Sequence, residues 1–272
     1  MMKKILIYPF LAVSLSLSLG ACSEKTAETT GTNQSEAKEV KSTHTVHWSY
    51  KGETGPEHWG ELDPANSTCV NGSEQSPINI EFSHVKADKK LESIHIQYKP
   101  TPFSLVNNGH TVQGNAKTDS NIIVVEGNEY KLVQFHFHTP SEHQYNGNNY
   151  DMELHLVHKD ANGKLAVLGV MIQEGKENEK LASVWDVLPK KETEKEISIK
   201  ESVDLQALLP QDKTSFHYNG SLTTPPCTEE VKWVIFKQPI EMSKEQIQAF
   251  QQIFPDNHRP VRPLNEREII RD

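Results

Sequence analysis

Short alternations of apolar and polar residues recur along most of this chain, and each predicts a strand. Ile94–Tyr98, Phe103–Asn107, Ile122–Val125, Tyr130–His138, Met152–Lys159, Ala166–Ile172 and Val231–Lys237 are rich in β-branched and aromatic residues and carry the period of two. Glu126-Gly127-Asn128-Glu129 between two of these runs is a hairpin turn signal. Helical spacing is rarer. Leu181, Val184, Trp185 and Leu188 follow it until Pro189, and Ser243 with Gln246 caps a second run that buries Ile247, Phe250 and Phe254 and stops before Pro255. His47–Asp63 is turn-rich, with Gly52, Gly55, Pro56 and Gly60. Many strands and few helices predict a mostly β (α+β) fold, and 46–272 is long enough for one such domain with a sizeable core.

The first residues break this pattern. Met1-Met2-Lys3-Lys4 is a basic opening, and Ile5–Leu19 is an apolar run leading to Leu19-Gly20-Ala21-Cys22. Residues 1–21 therefore read as a secretory signal, too short in its apolar part for a comfortable membrane span. Leu-Gly-Ala-Cys resembles the bacterial lipobox, in which Cys22 is lipidated and becomes the mature N-terminus. That leaves Cys69 and Cys227 as an even pair in an exported chain. Residues 22–45 are Ser, Thr, Glu, Lys, Gln and Ala without apolar periodicity, a solvated tether. The chain has 28 basic and 37 acidic residues, and loss of Lys3 and Lys4 with the signal brings the net charge from −9 to −11. So acidic a domain is a poor binder of nucleic acid.

Gln134–His158 carries the candidate chemistry. On a strand, alternate side chains share a face, so Gln134, His136 and His138 point one way while Phe135 and Phe137 point to a core. In the next strand Glu153, His155 and Val157 share a face, and His158 on the other is structural. Two imidazoles from one strand and a third from its neighbour form the three-nitrogen set used by catalytic zinc. A ligating imidazole donates its other N–H to an acceptor. Gln134 and Glu153 stand where they can accept from His136 and His155.

With those residues in view, the chain resembles an α-class carbonic anhydrase of the bacterial, exported type. The resemblance rests on Gly55-Pro56-Glu57-His58-Trp59, Gln75-Ser76-Pro77-Ile78, Asn107-Asn108-Gly109-His110, Gln134-Phe135-His136-Phe137-His138, Ser141-Glu142-His143 and Glu153-Leu154-His155-Leu156-Val157-His158. It continues through Gly220-Ser221-Leu222-Thr223-Thr224-Pro225-Pro226 and Arg259-Pro260-Val261-Arg262-Pro263-Leu264. It implies a large twisted, mainly antiparallel sheet with short peripheral helices and zinc in a conical cleft. The implied reaction is reversible hydration of carbon dioxide to bicarbonate and a proton, through hydroxide on one zinc per chain.

By the same resemblance, His136, His138 and His155 are the zinc ligands, with Gln134, Glu153 and the backbone carbonyl of Asn257 behind them. Thr223 and Glu142 are the pair that admits only a hydrogen-donating nucleophile, and Thr223 and Thr224 contact bicarbonate. Val157, Val167, Leu222, Val231 and Trp233 form the apolar wall for carbon dioxide. His110 is the proton shuttle to buffer, with Tyr50, Asn108 and Gln113 ordering the water chain. Gln113 stands where some members have Asn. Cys69 and Cys227 match a disulfide of exported members. Sulfonamides and small anions are the implied inhibitors, and the only implied membrane contact is a lipid on Cys22, on the periplasmic or extracellular face.

Two other readings use the same residues. His136, His138 and Glu142 also suit a cupin-type iron or manganese site with Glu142 as a ligand. A non-catalytic binding domain on this fold is the other, disfavoured because all three ligand positions are filled.

Overall fold

The computed structural model describes residues 47–88, 91 and 94–272. The signal, the tether and Cys22 lie outside the described residues. Fourteen strands run in chain order: β1 (Asn79–Ile80), β2 (Lys86–Ala87), β3 (His95–Gln97), β4 (Phe103–Asn107), β5 (Val112–Ala116), β6 (Ile122–Val125), β7 (Asn128–His138), β8 (Gln144–Tyr145), β9 (Met152–Lys159), β10 (Leu165–Glu174), β11 (Ile197–Ser198), β12 (Ser215–Gly220), β13 (Val231–Met242) and β14 (Ile270–Arg271). β1 and β8 form a small parallel pair. The others make one 12-stranded sheet ordered β11-β4-β5-β7-β9-β10-β13-β12-β14-β2, with β3 on β6 and β6 on β7. Its pairings are mainly antiparallel, and β10–β13 and β14–β2 are parallel.

The predicted turn closes as expected. Glu126 and Gly127 both have positive φ, 49° and 76°, and Val125 pairs with Asn128, as a two-residue hairpin loop matched to strand twist requires. Within β7 the register against β9 shifts between Leu132 and Gln134. Val133 is the extra residue, and it is exposed. The bulge changes the strand's parity. Tyr130 and Leu132 point into the core before it and Phe135 and Phe137 after it, so Gln134, His136 and His138 take the opposite face.

The helices are short: α1 (Trp59–Leu62), α2 (Thr68–Asn71), α3 (Ala182–Trp185), α4 (Leu205–Leu208) and α5 (Lys244–Gln251). α5 has the predicted capping box between Ser243 and Gln246 and buries Ile247 and Phe250. The expected helix through Leu188 is a 3-10 turn, Glu179–Leu181, followed by the single α turn of α3. Leu181 and Val184 are buried and Trp185 donates its indole N–H to Gln246 O at 2.9 Å, so packing fixes the segment without a continuous helix.

The sheet divides the apolar interior. One cluster includes Phe103, Leu105, Phe135, Phe137, Leu154, Leu156 and Phe250; the other includes Ile78, Val167, Tyr218, Val231 and Trp233. Gly114 of β5 is dictated by packing, because a Cβ there would lie 2.3 Å from the Phe135 ring.

Candidate metal centre

β7 and β9 are neighbours, and His136 pairs directly with His155. Each of the three histidines has one ring nitrogen already committed. His136 Nδ1–H donates to Gln134 Oε1 at 2.8 Å, and His138 Nδ1–H to the carbonyl of Asn257 at 2.7 Å. His155 Nε2–H donates to Glu153 Oε1 at 2.9 Å. These acceptors fix the tautomers, leaving lone pairs on His136 Nε2, His138 Nε2 and His155 Nδ1. One nitrogen from each ring lies within 4.8 Å of the others. Burial lowers all three pKa values, that of His138 to about 4, so the rings are uncharged at neutral pH. His138 Nε2 is buried with no hydrogen-bond partner, an expensive arrangement unless a cation takes its lone pair.

Glu153 is fully occupied. Oε1 accepts from His155 and from His143 Nδ1 at 2.8 Å; Oε2 accepts from the backbone N–H groups of Glu142 and His143 at 2.9 and 2.8 Å. Burial works to raise its pKa, but His143 and His155 hold it well below the usual carboxylate range. Because His143 Nδ1 donates to Glu153, its Nε2 accepts from the Tyr218 hydroxyl at 2.6 Å, and Tyr218 accepts in turn from Ser76 at 2.8 Å. His143, Glu153 and His155 also stand close enough to suggest a second metal set, but both imidazoles spend an N–H on Glu153. It is a hydrogen-bond cluster. Sequence reasoning gave His143, Tyr218 and Ser76 no role; the adjacency of His143 to Glu142 was the available signal.

Glu142 is fully buried, and burial raises its pKa. Its Oε1 accepts from the backbone N–H of Arg259 at 2.9 Å, a partner the sequence did not suggest. Its Oε2 lies 3.4 Å from His138 Nε2. Thr223 opposes burial in setting that pKa, and Oε2 is buried without a hydrogen-bond partner. Thr224 is half-buried, and its carbonyl accepts from the Cys227 N–H at 2.8 Å. Val157, Val167, Leu222, Val231 and Trp233 belong to one apolar cluster, with Val167 paired to both Val157 and Trp233.

His110 is half-buried in a turn closed by Asn108, whose Oδ1 accepts from the N–H groups of His110 and Thr111. Its ring stacks on Trp48 at 3.5 Å between centroids and 7° between planes. Burial lowers its pKa, His47 lowers it further and Glu192 opposes. The Tyr50 hydroxyl is buried without a partner. Gln113 donates to Asn115. The Asn257 side chain accepts from Thr139 N–H and donates to the carbonyls of His110 and Phe137, joining the His110 turn to β7. Cys69 and Cys227 are disulfide-bonded, with Cα atoms 5.0 Å apart.

Sheet and site together describe a β-sheet protein in which three converging histidines could hold a metal ion. The sequence profile described as "Eukaryotic-type carbonic anhydrase" matches residues 54–272, and the chain belongs to that family. A carbonic anhydrase of Klebsiella pneumoniae is 45% identical over 226 residues, covering 82% of this chain and 90% of the relative. One from Nostoc is 44% identical, covering 83% and 86%. The solved structure of the Thermovibrio ammonificans α-carbonic anhydrase in complex with sulfanilamide superposes with a TM-score of 0.80 at 43% identity, covering 83% of this chain and 99% of that one. The chain is a carbonic anhydrase that hydrates carbon dioxide reversibly, and enzymes of this class use zinc.

Proposed function

We propose that His136, His138 and His155 hold one zinc ion and that the residues around it run the hydration as a relay of fixed hydrogen-bond directions. The observation that carries this is the convergence of three uncharged nitrogens, one of them buried and unpartnered. Zinc in such a set supplies the Lewis acidity that makes water a nucleophile near neutral pH, an effect for which carbonic anhydrases are the reference case. Thr223 has one hydroxyl proton to give and Glu142 to receive it, so Thr223 can only accept from the attacking group and thereby orients it. Arg259 N–H on Oε1 keeps the other Glu142 oxygen for that purpose. Thr224 and the Thr223 N–H hold bicarbonate, and Val157, Val167, Leu222, Val231 and Trp233 offer apolar carbon dioxide a dry wall. His110 takes the released proton to buffer over water ordered by Tyr50, Asn108 and Gln113.

Elemental assay should return about one zinc per chain, and stopped-flow hydration should vanish with a chelator and recover with zinc. A His155→Ala variant that hydrates carbon dioxide at the parent rate would overturn the assignment. Glu142→Gln should keep zinc and lose turnover, whereas a cupin-type site with Glu142 as ligand would lose metal.

The same reading extends to location. Residues 1–21 are a lipoprotein signal, Cys22 carries the lipid, 22–45 are the tether and 46–272 the catalytic domain, displayed on the periplasmic or extracellular face. The basic-apolar-small opening ending in Leu-Gly-Ala-Cys supports it, as does the Cys69–Cys227 disulfide, which needs an oxidising compartment. Cys22→Ser should move the enzyme from the membrane fraction to the soluble one. The sulfanilamide bound by the Thermovibrio ammonificans enzyme supports sulfonamide binding at the same site here.

A further inference from the structure

On β5, Gln113 and Asn115 stand on the face that carries the histidines, since they pair across to His136 and Gln134. Their amides are linked in series. Gln113 Nε2 donates to Asn115 Oδ1 at 2.6 Å, and Asn115 Nδ2 donates to Glu196 Oε1 at 2.8 Å. Glu196 Oε2 accepts from the Ser104 hydroxyl at 2.6 Å and pairs with Lys117. A line of hydrogen bonds therefore starts at a half-exposed carboxylate and ends beside the metal ligands.

An amide can turn either way at little steric cost, because its oxygen and nitrogen are nearly the same size. An ionised carboxylate cannot: it only accepts. Lys117, then Ser104 and Asn115, hold the Glu196 pKa down to about 2 by hydrogen bonding, so it is ionised throughout any working pH range. Asn115 must then present its NH2 group to Glu196, which leaves its oxygen for Gln113. Gln113 must answer with an N–H, and its carbonyl oxygen is left over on the histidine face.

We infer that Glu196 is a positioning residue for proton export: acting through Asn115, it fixes Gln113 with its carbonyl oxygen turned to accept from cleft water. This rests on the reading that Gln113 lies along the water path to His110. A water chain moves a proton only when its hydrogen bonds run in one sense, and a wall amide free to flip would supply the opposite sense half the time. Proton export follows the release of bicarbonate, so the effect belongs in kcat and leaves kcat/KM alone.

The test uses the zinc-loaded full chain and four variants. Gln113→Leu should lower kcat in weak buffer by roughly two- to ten-fold, and Glu196→Gln should do the same, because Lys117 and Ser104 keep the new amide's oxygen and turn its NH2 group to Asn115, which reverses the line. In both, kcat/KM should stay at the parent value and concentrated imidazole buffer should restore kcat. The double variant should be no slower than Gln113→Leu, because the two act through one amide. Lys117→Met keeps the Asn115–Glu196 bond and should match the parent. Neutron diffraction on the parent should place deuterium on the Gln113 atom facing Asn115. If Gln113→Leu is slow and Glu196→Gln is not, or if their losses multiply, Glu196 has no such role. If Gln113→Leu is itself at the parent rate while His110→Ala is slow, the water path does not pass Gln113 and the inference falls with its premise.

Discussion

Glu153 carries four donors on two oxygens, and no uncharged substitute can accept them all. Glu153→Gln would turn an NH2 group toward two N–H groups in either orientation. If it faces the imidazoles, His155 relieves the clash by moving its proton to Nδ1, the nitrogen meant for metal. The expected result is zinc affinity lower by about 10- to 100-fold, read by chelator competition; parent affinity would show that the tautomer is set elsewhere. His158 makes a separate case. It is buried on the opposite strand face, accepts from Tyr98 at 2.6 Å and donates to Ala166 O at 3.3 Å, and burial lowers its pKa to about 3. Its folded pKa lies below the unfolded value, so the unfolded chain binds the proton first as pH falls. The stability it confers is whole above pH ~6.5 and drains away towards pH ~3. By pH 4.5 the loss is on the order of 3 kcal/mol, and His158→Gln should flatten the stability profile from urea unfolding between pH 7 and 4.5 by that amount.

Elements were legible where their two faces differ sharply. Phe103–Asn107, Ile122–Val125 and Met152–Lys159 begin and end as the alternation predicts, and the three histidines were placed on the correct faces. β5 and β12 were not foreseen, for a physical reason. β5 reads Val-Gln-Gly-Asn-Ala because one face stands beside His136 and Gln134 and the other meets the flat Phe135 ring, which suppresses the apolar signal. The bulge at Val133 was equally silent, since no residue type marks it. Yet it lets Leu132 and Phe135 share a core while His136 and His138 face the other way. Deleting Val133 forces one half of β7 to flip. That variant should lose zinc or fail to fold, whereas Val133→Thr, at an exposed site, should stay within ~0.5 kcal/mol of the parent in urea and retain full activity.

At the scale of the molecule, segments far apart in sequence meet behind the Thr223 loop. Trp48, Tyr50 and Trp59 pack on the Cys69–Cys227 disulfide, and Cys227 N–H holds the Thr224 carbonyl. The buried Arg259 guanidinium binds Gln75, the Ser76 carbonyl and the Cys69 carbonyl, while its backbone N–H holds Glu142. The disulfide thus braces the Thr223 loop and, through Arg259, Glu142, while His136, His138 and His155 stand apart from it on β7 and β9 in the middle of the sheet. Stability and catalysis should separate accordingly. A crosslink over 158 residues contributes about 4 kcal/mol by restricting the unfolded chain. A Cys69→Ala/Cys227→Ala double variant should unfold at lower urea by that amount, keep one zinc per chain, and lose kcat/KM as the Thr223 loop loosens. Zinc content, urea midpoint and carbon dioxide hydration on the same preparation read all three. Loss of zinc with an unchanged midpoint would mean that the crosslink braces the ligand strands, contrary to the topology of the sheet.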